Sequence, residues 1–428
     1  MICYNCKMID PNIIKFLTFH SDSRGIPFIP NQEWKKFILK FNKDDIRESL
    51  ADYIVINNIP FPSRKISYRE LVDLFERFSK TSMMSEYKQF DTVLEKVDYK
   101  YSYSDKPLGV IDKSHVYNSV SNYFQQINRM KCSSNLVDSP WDIWHSREKL
   151  EKMNWHFWRL GALGESDIDD SAFRSAFRIG TYTATQFKPS VAKALYEKHD
   201  AKKILDTSCG WGDRIAGFYA TYGTELYVGC DPNPEVYETY KQQCVTYEQL
   251  LGSDVKIQDH GHYFVCEGSK KVIIYNLPSE DVVWKQYDNT FDFYFTSPPY
   301  YETERYATNN SDTQSWSRYP SFDSWKNDFF FKVNRIVWDT LKDDAFMMIN
   351  IIEPRIAKGT RLNLCDDMVE DILTYPNANY LGKIGMRLQA RPHAIVEAEK
   401  NSVFIEPIWV FRKNNNTYLN TERLFEFL

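Results

Sequence analysis

"ILDTSCGWGDRIAGFYAT", residues 204–221, runs from a short apolar segment through a loop with two glycines into a second apolar segment. Ile204-Leu-Asp206 reads as a buried strand, and Arg214 to Thr221 reads as a helix. Gly210 and Gly212 let the backbone between them turn tightly and approach a ligand closely. The helix start beyond offers free amide groups. A plain strand-to-helix turn needs the same residues, so the loop acquires meaning only from a partner. That partner is Asp231, which closes the next strand, Leu226-Tyr-Val-Gly-Cys-Asp231, about 21 residues past Gly210. A carboxylate there grips the two ribose hydroxyls of an adenosine.

The dinucleotide fingerprint requires a third glycine where Ile215 stands, and the Lys-Ser/Thr ending of a phosphate loop is missing. A pyrophosphate cradle is therefore disfavoured. A ligand with a ribose but no pyrophosphate fits, and S-adenosylmethionine is such a ligand.

Outward from this loop, the chain from about Lys188 alternates helix and strand. Helices are expected over Ser190–Lys198, with Pro189 suiting the helix start, over Glu235–Leu251, and around Trp325–Leu341. Strands are expected at Lys271–Tyr275, Phe291–Thr296, Ala345–Ile351 and Pro407–Phe411. Such alternation builds a parallel sheet covered by helices, and ligands bind outside the carboxyl ends of its strands. Residues 1 to about 150 read differently, as a mixed, mainly helical accessory domain. Tyr68 to Phe78 shows helical spacing, while Tyr53-Ile-Val-Ile-Asn57 reads as a short extended piece. The expected division is thus 1–150 and 151–428.

The chain has 428 residues, 43% hydrophobic, 26% charged and 16% aromatic, with a formal net charge of −5. These are soluble-globular values, and the charge gives no global attraction to nucleic acid. The first 150 residues carry about +3 and the remainder about −8, so a basic tilt lies N-terminally. Eight scattered cysteines suggest a reducing compartment, and Cys3-Tyr-Asn-Cys6 is half of a zinc spacing without its second half. No metal is expected. No apolar run reaches the roughly 18 residues of a membrane span, and the N-terminus lacks a secretory pattern, so a cytoplasmic protein is expected.

"FYFTSPPYYETERY", residues 293–306, ends a core strand on Ser297-Pro298-Pro299-Tyr300. Together with the glycine loop and Asp231 upstream, this resembles the S-adenosylmethionine-dependent amino-methyltransferases, which methylate the exocyclic amine of adenine or cytosine in DNA. Their glycine motif resembles Asp206–Gly212, and their catalytic motif (Asp, Asn or Ser, then Pro-Pro and an aromatic) is matched by Ser297–Tyr300. Thr185-Gln-Phe-Lys-Pro189 looks like the element ahead of their first strand. Glu406-Pro-Ile-Trp-Val-Phe-Arg412 looks like their late strand. The likeness covers about residues 180–413.

The resemblance implies an α/β, Rossmann-like class I methyltransferase sheet with helices on both faces. It implies cofactor contacts from Phe187, Lys188, Asp206, Ser208, Gly210, Gly212, Asp231 and, after the third strand, Glu280 or Asp281. The chemistry explains the motif. An exocyclic amine is a poor nucleophile because its lone pair is delocalised into the ring. The Ser297 side chain and the Pro298 carbonyl form a rigid acceptor pair that helps localise that lone pair. Proline at two positions fixes φ and removes two donors. Tyr300 would stack on a base swung out of its helix. Serine in the first position leans to N4-cytosine over N6-adenine.

Substrate contacts are expected from Arg305 and Trp316, and from the basic cluster Lys383, Arg387, Arg391 and His393 facing phosphates. A solvated basic face is the alternative reading of that cluster. The partner implied is nucleic acid, DNA first. An RNA, modified-nucleotide or protein-amide acceptor, or a methyltransferase-like subunit without activity, stays open. Two departures matter: little chain follows Arg412 to serve as a target-recognition domain, and the net charge is acidic.

Overall fold

The computed structural model describes residues 10–88, 94–95, 108–111, 115–134, 136–306, 312–357, 360–387, 402–403 and 405–415. Cys3, Cys6, Arg391 and His393 lie outside them. The chain forms two compact units, one of residues 1–66 and 126–185 and the other of 67–125 and 186–428.

The second unit carries the sheet. Its central strands are β1 (Lys203–Asp206), β2 (Leu226–Cys230), β3 (Lys271–Tyr275), β4 (Phe291–Thr296), β5 (Leu341–Asn350), β6 (Ala378–Arg387) and β7 (Ile405–Lys413). Their spatial order is β3-β2-β1-β4-β5-β7-β6. The first five are parallel, and β7 runs antiparallel between β5 and β6. Strands Lys256–Asp259 and Tyr263–Glu267 extend the sheet beyond β3, and Gly109–Ile111 and Tyr87–Lys88 extend it beyond β6. This is the expected Rossmann-like class I methyltransferase sheet.

Helices cover both faces because successive side chains of each strand point to opposite sides. Leu205, Val228, Tyr294, Met347, Ile349, Trp409 and Phe411 join one core with Trp325, Phe330, Trp338, Met368 and Ile372. Those partners come from a π-helical segment, Trp325–Phe331, and from helices Lys332–Thr340 and Cys365–Leu373. The intervening residues Phe293 and Phe295 meet Tyr196, of helix α1 (Pro189–Lys198), edge to face on the other side. Phe291, Phe293 and Phe295 are fully buried, and each contributes about 1.5–3 kcal/mol by leaving water. The glycine loop leads from β1 into α2 (Asp213–Ala220), and α3 (Pro234–Leu250) follows β2 with Asn233 as its N-cap, accepting from the Glu235 amide.

The first unit is helical. Helices Pro11–Phe19, Asn31–Ile38, Lys43–Ile56, Pro140–Trp144, Arg147–Leu163 and Asp170–Gly180 enclose Trp34, Leu50, Trp144, Phe157 and Phe173. The short extended piece expected at Tyr53–Asn57 is instead the end of the helix that Asn42 caps. Ile46, Leu50 and Ile54 continue one buried stripe, which outweighs the β-branched composition of those few residues.

The boundary expected at residue 150 is corrected as well. Helix Tyr68–Lys80 packs with the sheet unit: Phe75 stacks on Tyr247 of α3 at 4.7 Å, and the Lys193 ammonium of α1 caps that helix through the Phe78 and Ser79 carbonyls. Residues up to Thr185, beyond the expected break, pack with the helical unit. A linear scan for a composition change cannot show a chain that leaves a unit and returns to it.

Candidate active site at the carboxyl edge of the sheet

Because β7 runs against its neighbours, its first residues lie at the same edge as the last residues of β1–β6. That edge gathers the glycine loop, Asp231, the Asn276–Asp281 turn, Ser297–Tyr300, Asn350, Arg387 and Glu406. Open α/β sheets bind ligands there.

The glycine loop is built on a buried ion pair. Arg214 Nε donates to Asp206 Oδ2 at 2.7 Å, and the Tyr227 hydroxyl donates to the same oxygen at 2.5 Å. Asp206 Oδ1 accepts from the Thr296 hydroxyl and the Ser208 amide. Both carboxylate oxygens are therefore occupied, and Asp206 is wholly inaccessible. This corrects its expected place among the cofactor contacts: Asp206 shapes the loop and ties it to β4. The guanidinium also donates to the Ser208 carbonyl, and removing one member of such a buried pair costs about 3–5 kcal/mol. Gly210 and Gly212 both adopt left-handed φ, 59° and 68°. A Cβ on Gly212 would also drive into the Gln243 carboxamide.

Asp231 is half-buried, with Oδ2 accepting from the Gly210 amide at 3.0 Å and from Tyr240, and Oδ1 accepting from the Asn233 amide. Burial pushes its carboxyl up to about 6, against the lowering effect of those bonds. After β3, Glu280 accepts from the Tyr319 hydroxyl and pairs with Arg318, both at 3.1 Å. Its side chain is 3% exposed, and its Oε2 is buried without a hydrogen-bond partner. Asp281 holds the same Arg318 through both oxygens. Phe187 and Lys188, just ahead of α1, are buried. Phe187 lies edge-on to Phe295, and Lys188 Nζ donates to the Arg387 carbonyl at 2.5 Å.

The motif loop leaves β4 at Thr296. Tyr301, directly after the motif, has φ 51°, a strained value for an aromatic residue, and its ring is anchored against Phe322 and Trp325. With Tyr301 pinned inward, Tyr300 stands at the edge, only partly buried. Its hydroxyl donates to Glu406 Oε1 at 2.5 Å and to the Asn350 carbonyl at 3.3 Å. Burial and the facing Glu406 push the phenol up, and burial pushes the Glu406 carboxyl up. Beyond the motif, Arg305 lies 4.7 Å over the Trp316 ring, and Trp211 of the glycine loop meets Tyr306 at 5.8 Å. Arg305 Nε and Trp316 Nε1 are buried donors without a partner.

The edge thus brings together Ser208, Gly210, Gly212, Asp231, Glu280, Ser297, Pro298, Pro299 and Tyr300, with Lys188 and Arg387 beside them. Lys383 does not belong to this set. It sits within β6 between β7 and Gly109–Ile111 and is 2% exposed, so it cannot form a basic face toward phosphates. Glu406 and Asn350 went unassigned from sequence; the Glu-Pro opening of the last strand was the available signal.

No protein-family model matches the chain, and no curated protein does. Among solved structures, the chain is similar to 1,6-didemethyltoxoflavin-N1-methyltransferase of Burkholderia thailandensis with bound S-adenosylhomocysteine, at 13% identity over 53% of this chain and 78% of that one, TM-score 0.32. Trm1 of Pyrococcus horikoshii with S-adenosyl-L-methionine gives 12% identity over 54% and 57%, TM-score 0.32. The YcgJ protein of Bacillus subtilis gives 11% over 53% and 99%, TM-score 0.32. These likenesses leave the functional reading to the residues of the edge itself. Among the described residues, no helix is long and apolar enough to cross a membrane.

Proposed function

We propose that the chain is an S-adenosylmethionine-dependent methyltransferase acting on the exocyclic amino group of a base in DNA, N4 of cytosine before N6 of adenine. The observation that carries this reading is the Ser297–Tyr300 loop at the end of β4, one strand from the glycine loop and Asp231.

The residues of the edge fit the donor. Asp231 supplies a half-buried acceptor for ribose hydroxyls, and the unpartnered Glu280 Oε2 is an acceptor for an adenine amine. Gly210 leaves the backbone open to close approach, since a Cβ there would meet only the Ser208 carbonyl at 3.7 Å. When bound, S-adenosylmethionine supplies an electrophilic methyl group on a sulfonium.

The chain's own residues do the rest. Ser297 and the Pro298 carbonyl accept from the substrate amine and concentrate its lone pair. Tyr300 presents its ring as a stacking surface, held by Glu406. The unpaired Arg305 and Trp316 donors suit acceptor atoms of the substrate, and the rate gain comes largely from alignment of amine and methyl. Carbon methylation of cytosine would require a nucleophilic cysteine. The six described cysteines are all buried, and none stands in the motif loop. The net charge of −5 is unusual for a duplex binder, so single-stranded DNA, RNA or a modified nucleotide stands as the second acceptor class.

Calorimetric donor binding and turnover, measured side by side, test the assignment. Ser297→Ala and Tyr300→Ala are expected to keep donor affinity within about threefold while lowering turnover by about 100-fold or more. Asp231→Ala is expected to weaken donor binding first. Loss of donor binding in the motif variants would place the site elsewhere.

A further inference from the structure

A polar group buried without a partner calls for an incoming group to satisfy it, and the two such groups that follow the motif loop closely are both donors. Arg305 Nε and Trp316 Nε1 are buried without a hydrogen-bond partner among the described residues. They stand together, the guanidinium carbon lying 4.7 Å from the centre of the indole ring. Neither can serve the other, because guanidinium and indole nitrogens only donate. Carboxylates close by are already engaged: Glu304 accepts from the Tyr306 hydroxyl, and Glu280 and Asp281 hold Arg318.

This stack is fastened at the carboxyl edge from two directions. Tyr306, next to Arg305, meets Trp211 of the glycine loop at 5.8 Å. Ser315, next to Trp316, accepts through its hydroxyl from Trp325 Nε1 at 3.1 Å, and Trp325 packs on Tyr301, directly after the motif. A base edge brought here meets donors and must offer acceptors. Outward from its exocyclic amine, cytosine presents the ring nitrogen N3 and then the carbonyl oxygen O2, two acceptors in succession. Adenine presents N1 and then a C–H.

We infer that Arg305 and Trp316 are specificity-determining residues that recognise cytosine through N3 and O2 and select it over adenine. The inference rests on the amino-methyltransferase reading and adds to it the groups that choose the base. Adenine leaves one of the two donors buried and unsatisfied, which is how a polar site rejects an analogue lacking one group.

The test compares kcat/KM of the full-length chain on oligonucleotides carrying cytosine, adenine or 2-thiocytosine at the modified position. The sulfur of 2-thiocytosine is a poor acceptor. Trp316→Phe keeps an aromatic ring beside Arg305 and removes the N–H, while Arg305→Lys keeps the charge and removes the planar donor fork. Each variant should lower the cytosine-over-adenine ratio about tenfold, the effect of one buried hydrogen bond, with calorimetric donor affinity unchanged. Wild type should slow about tenfold on 2-thiocytosine, and the variant lacking the donor to O2 should not slow further. A wild-type preference for adenine, or variants that lose rate equally on both bases, would overturn the base-reading role and leave amine methylation standing. Wild type that transfers methyl to no base amine would overturn both.

Discussion

Asp231 shows how one residue can be legible in kind yet not in state. Its position after β2 predicts a ribose contact, but only the fold shows that its carboxylate already holds the Gly210 amide and is pushed by burial up to about 6. The ionised form makes the stronger, charge-assisted bonds. Donor affinity should therefore be fully present above pH 7 and fall as pH drops through about 6. Calorimetry across that range would detect the loss, and Asp231→Asn should bind weakly with little pH dependence. Asp206 is the opposite case: the same residue type at the end of the neighbouring strand, with both oxygens consumed by Arg214, Tyr227, Thr296 and the Ser208 amide. Spacing cannot distinguish a carboxylate that meets a ligand from one that builds the loop.

Among the elements, β1–β5 and their helices were readable because each is a short apolar run bounded by a turn, the pattern of strands buried on both faces. Strand β6 and the pair at Lys256–Glu267 were not, since β6 contains Gly382, Lys383 and Gly385, and all of Lys256–Asp259 is exposed. The helix expected over Trp325–Leu341 divides into a π-helical and an α-helical part, and β5 already begins at Leu341. The segment after β5 holds a further device. Glu353 accepts from the Leu364 and Cys365 amides at the start of helix Cys365–Leu373, and burial raises its carboxyl to about 7. The folded state then binds this proton more tightly than the unfolded chain, so its contribution to stability is fully present below about pH 4.5 and is lost as pH rises to about 7. Thermal melts of Glu353→Gln should lack that part of the pH dependence, and an unchanged profile would show that other groups govern it.

For the whole molecule, the sequence revealed two units but not how the chain is shared between them. Phe75 and Lys193 with their partners bind residues 67–125 into the sheet unit. Removing residues 1–150 should therefore strip the sheet of a packed helix and abolish cooperative melting and donor binding. A truncated chain that melts cooperatively and binds donor at native affinity would refute that division.

The central claim concerns the acceptor, and transfer of labelled methyl from S-adenosylmethionine tests it most directly. Duplex DNA, single-stranded DNA and RNA are offered in parallel, and the products are digested to nucleosides. The account predicts label on an exocyclic amine in DNA, on N4 of cytosine before N6 of adenine. Label confined to RNA, or none despite measurable donor binding, would contradict it.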